Sequence, residues 1–400
     1  MSNDSSPAPA PDEEPDSLVL ADEVHLTAAA QDGARGRNLR TAAAATAAVV
    51  VVAIGVGTYL GTQYHPKASG ALAATAATAT PTGTATAPST APAGPAYKVY
   101  VAAAGGDEIA SLNSGTATAG PTYSTDSAMG IALAPNDQTL YVADTGQFGV
   151  LAVNLATKAS TTIHVGAYPQ DVAVSPSGAT VYATLTGGDS GPGGSDQVAV
   201  INTATNTVTT NITVGTAPRQ IVLSADGSRA YVSTEQGVYA INTATNRVVG
   251  VVHTPSDVQG LALSPDGSTL YATAPDEGQL LVISTHNLFV QRTFNAGAEP
   301  WSVGVAAGGT RLFVADVNSN SVAVINAQSG HTLTNVTVGS LPTAIGVTPD
   351  GSQVWVGNTL TGSLSVISTA TDKLVATIPG GPGTTALDSA PTDIVFAPAG

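Results

Sequence analysis

Seven short apolar runs in this chain are each preceded by residues whose chemistry exceeds what a strand needs. Asp126 and Met129 stand before Ile131, and Gln170 and Asp171 before Val172. Arg219 and Gln220 precede Ile221, and Asp257 and Gln259 precede Leu261. Glu299 and Trp301 precede Val303, Thr343 precedes Ile345, and Asp393 precedes Ile394. Carboxylates held in one concavity raise each other's pKa and attract cations. A tryptophan offers a flat face to a sugar ring or to a cation over its π-system. An arginine among them either orients the anionic part of a ligand or neutralises its neighbours. Asp126, Met129, Gln170, Asp171, Arg219, Asp257, Glu299, Trp301 and Asp393 are therefore the candidate ligand-binding residues. A solvated rim of internal ion pairs is the competing reading.

No catalytic residue is nominated. The six histidines form no His-x-x-x-His or His-Glu-x-x-His pair. Neither a Gly-x-Ser-x-Gly elbow nor a phosphate-binding loop is present. Cysteine is absent, so there is no thiolate nucleophile, no disulfide and no Cys-ligated zinc. Asp189 and Asp196 lie in a Gly-rich insertion and carry oxygens of the kind that ligate Ca²⁺. Their spacing fits no EF-hand, so a plain loop is expected. No cofactor is expected and no metal is assigned.

The elements that position these residues recur. The aromatic anchors Tyr100, Tyr141, Tyr182, Tyr231, Tyr271, Phe313 and Trp355 are separated by 41, 41, 49, 40, 42 and 42 residues. A period of about 40–45 residues that reads as four short strands is that of a β-propeller blade. Each unit opens on an inner strand in which large apolar residues alternate with Ala or Gly, as in Leu261-Ala262-Leu263. A turn such as Pro265-Asp266-Gly267 follows, where Pro presets φ and Gly accepts a positive φ. The anchored second strand, a third strand and a Thr/Val-rich outer strand complete the unit. Tyr97–Val101 is a second strand with no inner strand before it, and 391–398 is an inner strand with nothing after it. One blade shared by the two chain regions would close the ring and remove its open edges. The expected fold is an all-β seven-bladed propeller of four-stranded antiparallel blades.

Tyr141-Val142-Ala143-Asp144, Trp355-Val356-Gly357-Asn358 and Ser264-Pro265-Asp266-Gly267 resemble the YVTN-repeat seven-bladed propeller family. So do Val198–Asn202 and the connection Val214-Gly215-Thr216-Ala217-Pro218, and the likeness spans about residues 96–400. The Asn of the family pattern is replaced by Ala103, Leu185, Thr234 and Ala274. The resemblance implies the fold, and it also brings to mind lactonase-like propellers that hydrolyse sugar lactones.

Residues 1–40 are acidic and Pro/Ser/Ala-rich and are expected to be disordered. Residues 41–62 carry no charge and are long enough for a span of about 20 residues, flanked by Arg35, Arg37 and Arg40. An uncleaved signal anchor is favoured over a cleaved signal peptide with a site near Ala71-Leu72-Ala73, since the leader is long for a signal n-region. Residues 63–95 read as an Ala/Thr/Pro linker, and 96–400 as the propeller, facing outside the membrane. The Ala/Thr/Gly-rich, Lys-poor composition is that of an exported protein from a high-GC bacterium, an actinobacterium by preference.

Between 96 and 400 there are 20 acidic and 8 basic residues. Nucleic acid is therefore not expected as a partner, because a phosphate backbone demands clustered Lys and Arg. The expected function is a surface-anchored binding or scaffold module for a peptide, glycan or small cationic ligand. A lactonase-like hydrolase is the first alternative, and a sensor reporting through its cytoplasmic tail is the second.

Overall fold

The computed structural model describes residues 95–106, 108–187, 196–380 and 390–399. Seven four-stranded sheets follow one another around a ring. Blades two to seven occupy residues 128–164, 168–213, 221–253, 261–295, 300–337 and 342–378, each with its strands in chain order from the centre outwards. Blade one is composite. Its inner strand is Ala390–Pro398, followed by Tyr97–Ala104, Glu108–Asn113 and the short Tyr123–Ser124. The expected shared blade is thus present, and all pairings are antiparallel. Its register runs from Tyr97 opposite Pro398 to Ala104 opposite Ala390, and the Ala399 amide donates to the Ala96 carbonyl at 3.2 Å.

The core lies between blades rather than at the centre of the ring. The aromatic anchors explain why. Trp355 is 1 % exposed and packs against Val99, Val101, Leu364 and Ile394, sealing blade seven to blade one. Phe396 meets both Tyr97 and Trp355 edge-on, with ring centroids 6.3 Å apart in each case. Each fully buried Val or Ile contributes about 1.5–3 kcal/mol, so one such seam holds the ring by many contacts at once. The expected turns form too. Asp226, Asp266 and Asp350 each accept a hydroxyl two residues before and an amide two residues after. Gly227, Gly267 and Gly351 complete these turns at φ 69°.

The expected tail (1–40), span (41–62) and most of the linker lie outside the described residues. Among the described residues no helix is long and apolar enough to cross a membrane. Most of the Gly-rich insertion, including Asp189, is also outside them. Asp196 is described, and its Oδ1 accepts the Ala217 amide at 3.1 Å, which is a loop-supporting role.

Candidate functional site

Every inner strand begins with an irregularity, and this is what presents the candidate residues. The register slips past Thr392 in blade one, Met129-Gly130 in blade two, Gln170 in blade three, Trp301 in blade six and Thr343 in blade seven. In blades four and five, Arg219 and Gln259 hold the equivalent position, just before regular pairing starts at Ile221 and Leu261. A bulge leaves one residue out of the ladder and re-aims its side chain. Pro169, Pro218, Pro300, Pro342 and Pro391 each come immediately before the displaced residue. Lacking an amide hydrogen, proline sits there without losing a ladder bond.

The residue after the bulge reaches across to the next blade. Asp393 Oδ2 accepts the Ile131 amide at 2.9 Å, and Asp171 Oδ2 accepts the Ile221 amide at 2.9 Å. The Gln220 carboxamide oxygen accepts the Leu261 amide in the same way. Asp393 and Asp171 each accept a second amide, from Ile394 and Val172, at 2.8 Å. Gly130 lies against Asp171, next to the Ile131 amide that Asp393 accepts. A Cβ there would fall on the Asp171 carboxylate, so only glycine permits the approach. Burial pushes the Asp393 carboxyl up to about 6, and burial together with the Asp393 charge holds Asp171 well above the usual carboxylate range. The oxygens of both residues serve as latches between blades.

The remaining candidates form two groups. Arg219 is 6 % exposed and pairs with Asp257 Oδ2 at 3.0 Å, and the Gln259 amide donates to the same oxygen at 3.0 Å. Arg219 here neutralises its neighbour, which was one of the two roles open to it. Glu299 stands free of such a cation. Its carboxyl is raised by burial first, then by Asp316, Asp276 and Asp257, while Asn318 donates to it. Trp301, the displaced residue two positions on, is part-buried, and Asp126 is exposed beside buried Met129. Asp144 and Asp316, which follow two of the anchors by three residues, do not open to solvent. Asp144 accepts the Asp126, Ser127 and Gln147 amides, and Asp316 those of Ala298 and Glu299. They fix the loops that carry Asp126 and Glu299.

Sequence inspection missed the hydroxyls of Thr184, Ser233 and Thr273. Each accepts an amide of its own blade and donates to the displaced residue's carbonyl in the next: Arg219 at 2.6 Å, Gln259 at 2.8 Å and Trp301 at 2.7 Å. Their common place two residues after a tyrosine was the available signal. Thr392, whose hydroxyl donates to the Ala128 carbonyl at 3.1 Å, was also missed.

Charge separates the two ends of the ring. The mouth end, where outer strands lead into inner ones, carries Glu108, Asp126, Asp144, Asp171, Asp196, Glu235, Asp257, Asp276, Glu277, Glu299, Asp316 and Asp393. Among the described residues Arg219 is its single Lys or Arg, already paired with Asp257. The opposite end carries Asp137, Asp226, Asp266, Asp350 and Asp372 against Lys98, Lys158, Arg229, Arg247, Arg311 and Lys373. Among the described residues no three His, Cys, Asp or Glu side chains converge at metal-ligand spacing.

No family model matches the chain. No curated protein matches it. Solved structures do resemble it. Hydrazine synthase of Kuenenia stuttgartiensis aligns at 20 % identity and TM-score 0.60, over 67 % of this chain and 91 % of that one. A protein of unknown function from Desulfotomaculum acetoxidans aligns at 11 % identity and TM-score 0.63, over 75 % and 98 %. A provisionally named 6-phosphogluconolactonase from Bacteroides uniformis aligns at 14 % identity and TM-score 0.62, over 76 % and 100 %. The fold is a seven-bladed β-propeller. At these identities the likeness extends to the fold alone.

Proposed function

We propose that this chain is a YVTN-type binding or scaffold propeller, held at the outer side of a membrane by residues 41–62, that takes a cationic or sugar-like ligand at its channel mouth. The one-sided charge carries this proposal. A face with many carboxylates and one already-paired cation projects a negative potential that concentrates cations. Glu299 lies on the loop that Asp316 holds and the part-buried Trp301 two residues on, at the start of the inner strand, so a charge and a flat apolar face are offered together.

A lactonase-like hydrolase is the second reading, favoured by the likeness to the provisionally named 6-phosphogluconolactonase. Asp171 and Asp393 supply the raised carboxyls that such chemistry uses, yet each already accepts two backbone amides. A phosphorylated lactone would also meet a face of its own charge sign.

The test is a thermal-shift screen of the full chain against amines, oligosaccharides and lactones, followed by calorimetry on the hit. Glu299→Gln is expected to weaken a cationic hit and lower its salt dependence, and Trp301→Ala to weaken it without unfolding. Asp257→Asn is a poorer probe, because it also removes a carboxylate partner of the buried Arg219. Unchanged affinity in both variants removes the mouth from consideration, and turnover of a lactone would favour the hydrolase. For the anchor, protease added to intact cells should release the propeller by cutting within 66–95; a protected propeller would contradict it.

A further inference from the structure

Two aromatic side chains lie in water on the acidic face, and neither belongs to the mouth residues above. Phe148 is 46 % exposed and Tyr168 is 40 % exposed, and their rings meet at 4.7 Å with a 55° tilt. Single exposed apolar residues are ordinary, whereas two exposed rings in contact form a small apolar surface of their own. Of the other large exposed hydrophobics among the described residues, Val249, Phe289, Leu333 and Leu374 lie on outer strands, and Leu360 lies on the loop between the second and third strands of blade seven. The pair straddles two blades. Phe148 ends the loop between the second and third strands of blade two, and Tyr168 opens the inner strand of blade three. Tyr168 holds the repeat position that Asp257 and Glu299 hold in blades five and six, four residues before the first in-register apolar residue of the strand, Val172, Leu261 or Val303. It therefore stands at the same level of the ring as those carboxylates.

The backbone holds this platform in place. Phe148 sits at φ 51°, a conformation that costs a bulky residue of order 1 kcal/mol. The Val165 amide donates to the Phe148 carbonyl at 3.3 Å, and the Thr162 hydroxyl donates to Gln147 Oε1 at 2.9 Å. Asp126 is exposed and close by: a Cβ on Gly146, two residues before Phe148, would lie 2.6 Å from the Asp126 Cβ. Ring faces, a neighbouring carboxylate and a face without a free cation share one complementary chemistry. A guanidinium or ammonium over the rings is attracted by their quadrupole, and its aliphatic stem covers apolar surface. A neutral sugar would use the rings and leave the charge unused.

We infer that the Phe148–Tyr168 pair is a docking site for a basic peptide segment, whose Arg or Lys side chain lies across the two rings beside Asp126. The inference rests on the acidic face being the recognition face, and it adds a second contact point and a partner class to that proposal. A fluorescein-labelled Gly-Arg-Gly-Arg-Gly-Arg peptide is the probe, with its Glu counterpart and chitohexaose as controls, read by anisotropy against the full chain. The double variant Phe148→Ala/Tyr168→Ala should bind the Arg peptide about 5–20-fold more weakly with an unchanged melting curve, from a cation–π gain of about 1–2 kcal/mol. Tyr168→Phe should bind as wild type. Tyr168→Leu provides the same readout should the double variant fail to fold. Loss in Glu299→Gln but none in the aromatic variants overturns this inference and leaves the mouth standing. Loss in the aromatic variants alone upholds it and counts against the mouth. Failure to bind the Arg peptide, or chitohexaose binding that the aromatic variants abolish, overturns it.

Discussion

Blades three to five and blades two, six and seven solve the same problem with different atoms. Every inner strand is entered through a bulge or an unladdered residue whose backbone groups need partners. In blades three to five a hydroxyl two residues after the anchor tyrosine supplies them: Thr184, Ser233 or Thr273, each also bonding the following blade. The next position there is apolar or neutral: Leu185, Thr234, Ala274. In blades two and six the pattern inverts. Ala143 and Ala315 take the hydroxyl position, and Asp144 and Asp316 accept amides from the loop of their own blade. In blade seven, Gly357 precedes Asn358, whose amide donates to Ser363 and Ser365. The two adjacent polar positions of the repeat are therefore separable. The first ties a blade to its neighbour, and the second ties a blade's loop to itself. Blade four keeps both, because the Thr234 hydroxyl accepts the Gln236 amide and donates to the Gly237 carbonyl of its own loop; blades two, three, five and six keep one.

Blade one has neither, with Ala102 and Ala103 in those positions, so its integrity rests on strand pairing and on the Trp355 seam. Deleting residues 391–400 is the most severe way to test that arrangement. The truncated chain should aggregate or melt far below the intact one, because Val99, Val101 and Trp355 lose their cover. A monomeric truncation with an unchanged melting curve would refute closure by the shared blade.

Asp316→Ala and Thr273→Val sharpen the contrast itself. Asp316→Ala strands two amides that a buried carboxylate satisfied, an expected loss of about 2–4 kcal/mol, with faster hydrogen exchange confined to blade six. Thr273→Val removes a neutral hydroxyl and should cost about 1–2 kcal/mol, with faster exchange at Gly260 in blade five and at the start of blade six. Exchange that spreads in the first variant and stays local in the second would erase the distinction.

The smallest effect concerns the Asp393 latch. Its carboxyl lies near 6 when folded, against 3.8 as the ordinary value. A carboxyl raised on folding favours the native state in its protonated form. That contribution is complete below about pH 4 and is lost as pH rises through about 6. Tm should therefore fall by a few degrees between pH 5 and pH 7 in the wild type. Asp393→Asn should flatten that slope while lowering Tm overall, since Asn cannot accept both the Ile131 and Ile394 amides. A slope identical in the variant would assign it to other groups.

The fold was legible because its signals are local. An aromatic anchor and a Pro-Asp-Gly turn lie within a few residues of each other, and their recurrence needs only counting. The level of the ring at which Asp126, Asp257 and Glu299 stand was legible for the same reason. What those residues bond was not. The carbonyl that Thr273 reaches is 28 residues on, in another blade. Asp171 is 41 residues from Gly130, and its approach to that backbone depends on the glycine's missing Cβ. The contact of Phe148 with Tyr168 was not legible either, since nothing in the repeat pairs a loop position of one blade with a strand position of the next.

The composite blade also sets how the domain is held. Tyr97 pairs with Pro398, so the chain comes into the propeller at the end of blade one remote from Glu299 and Trp301. A pull applied at Tyr97 falls first on the Tyr97–Pro398 end of the seam, at the far side of the ring from the acidic mouth, so the load and the carboxylates act on opposite ends of one blade.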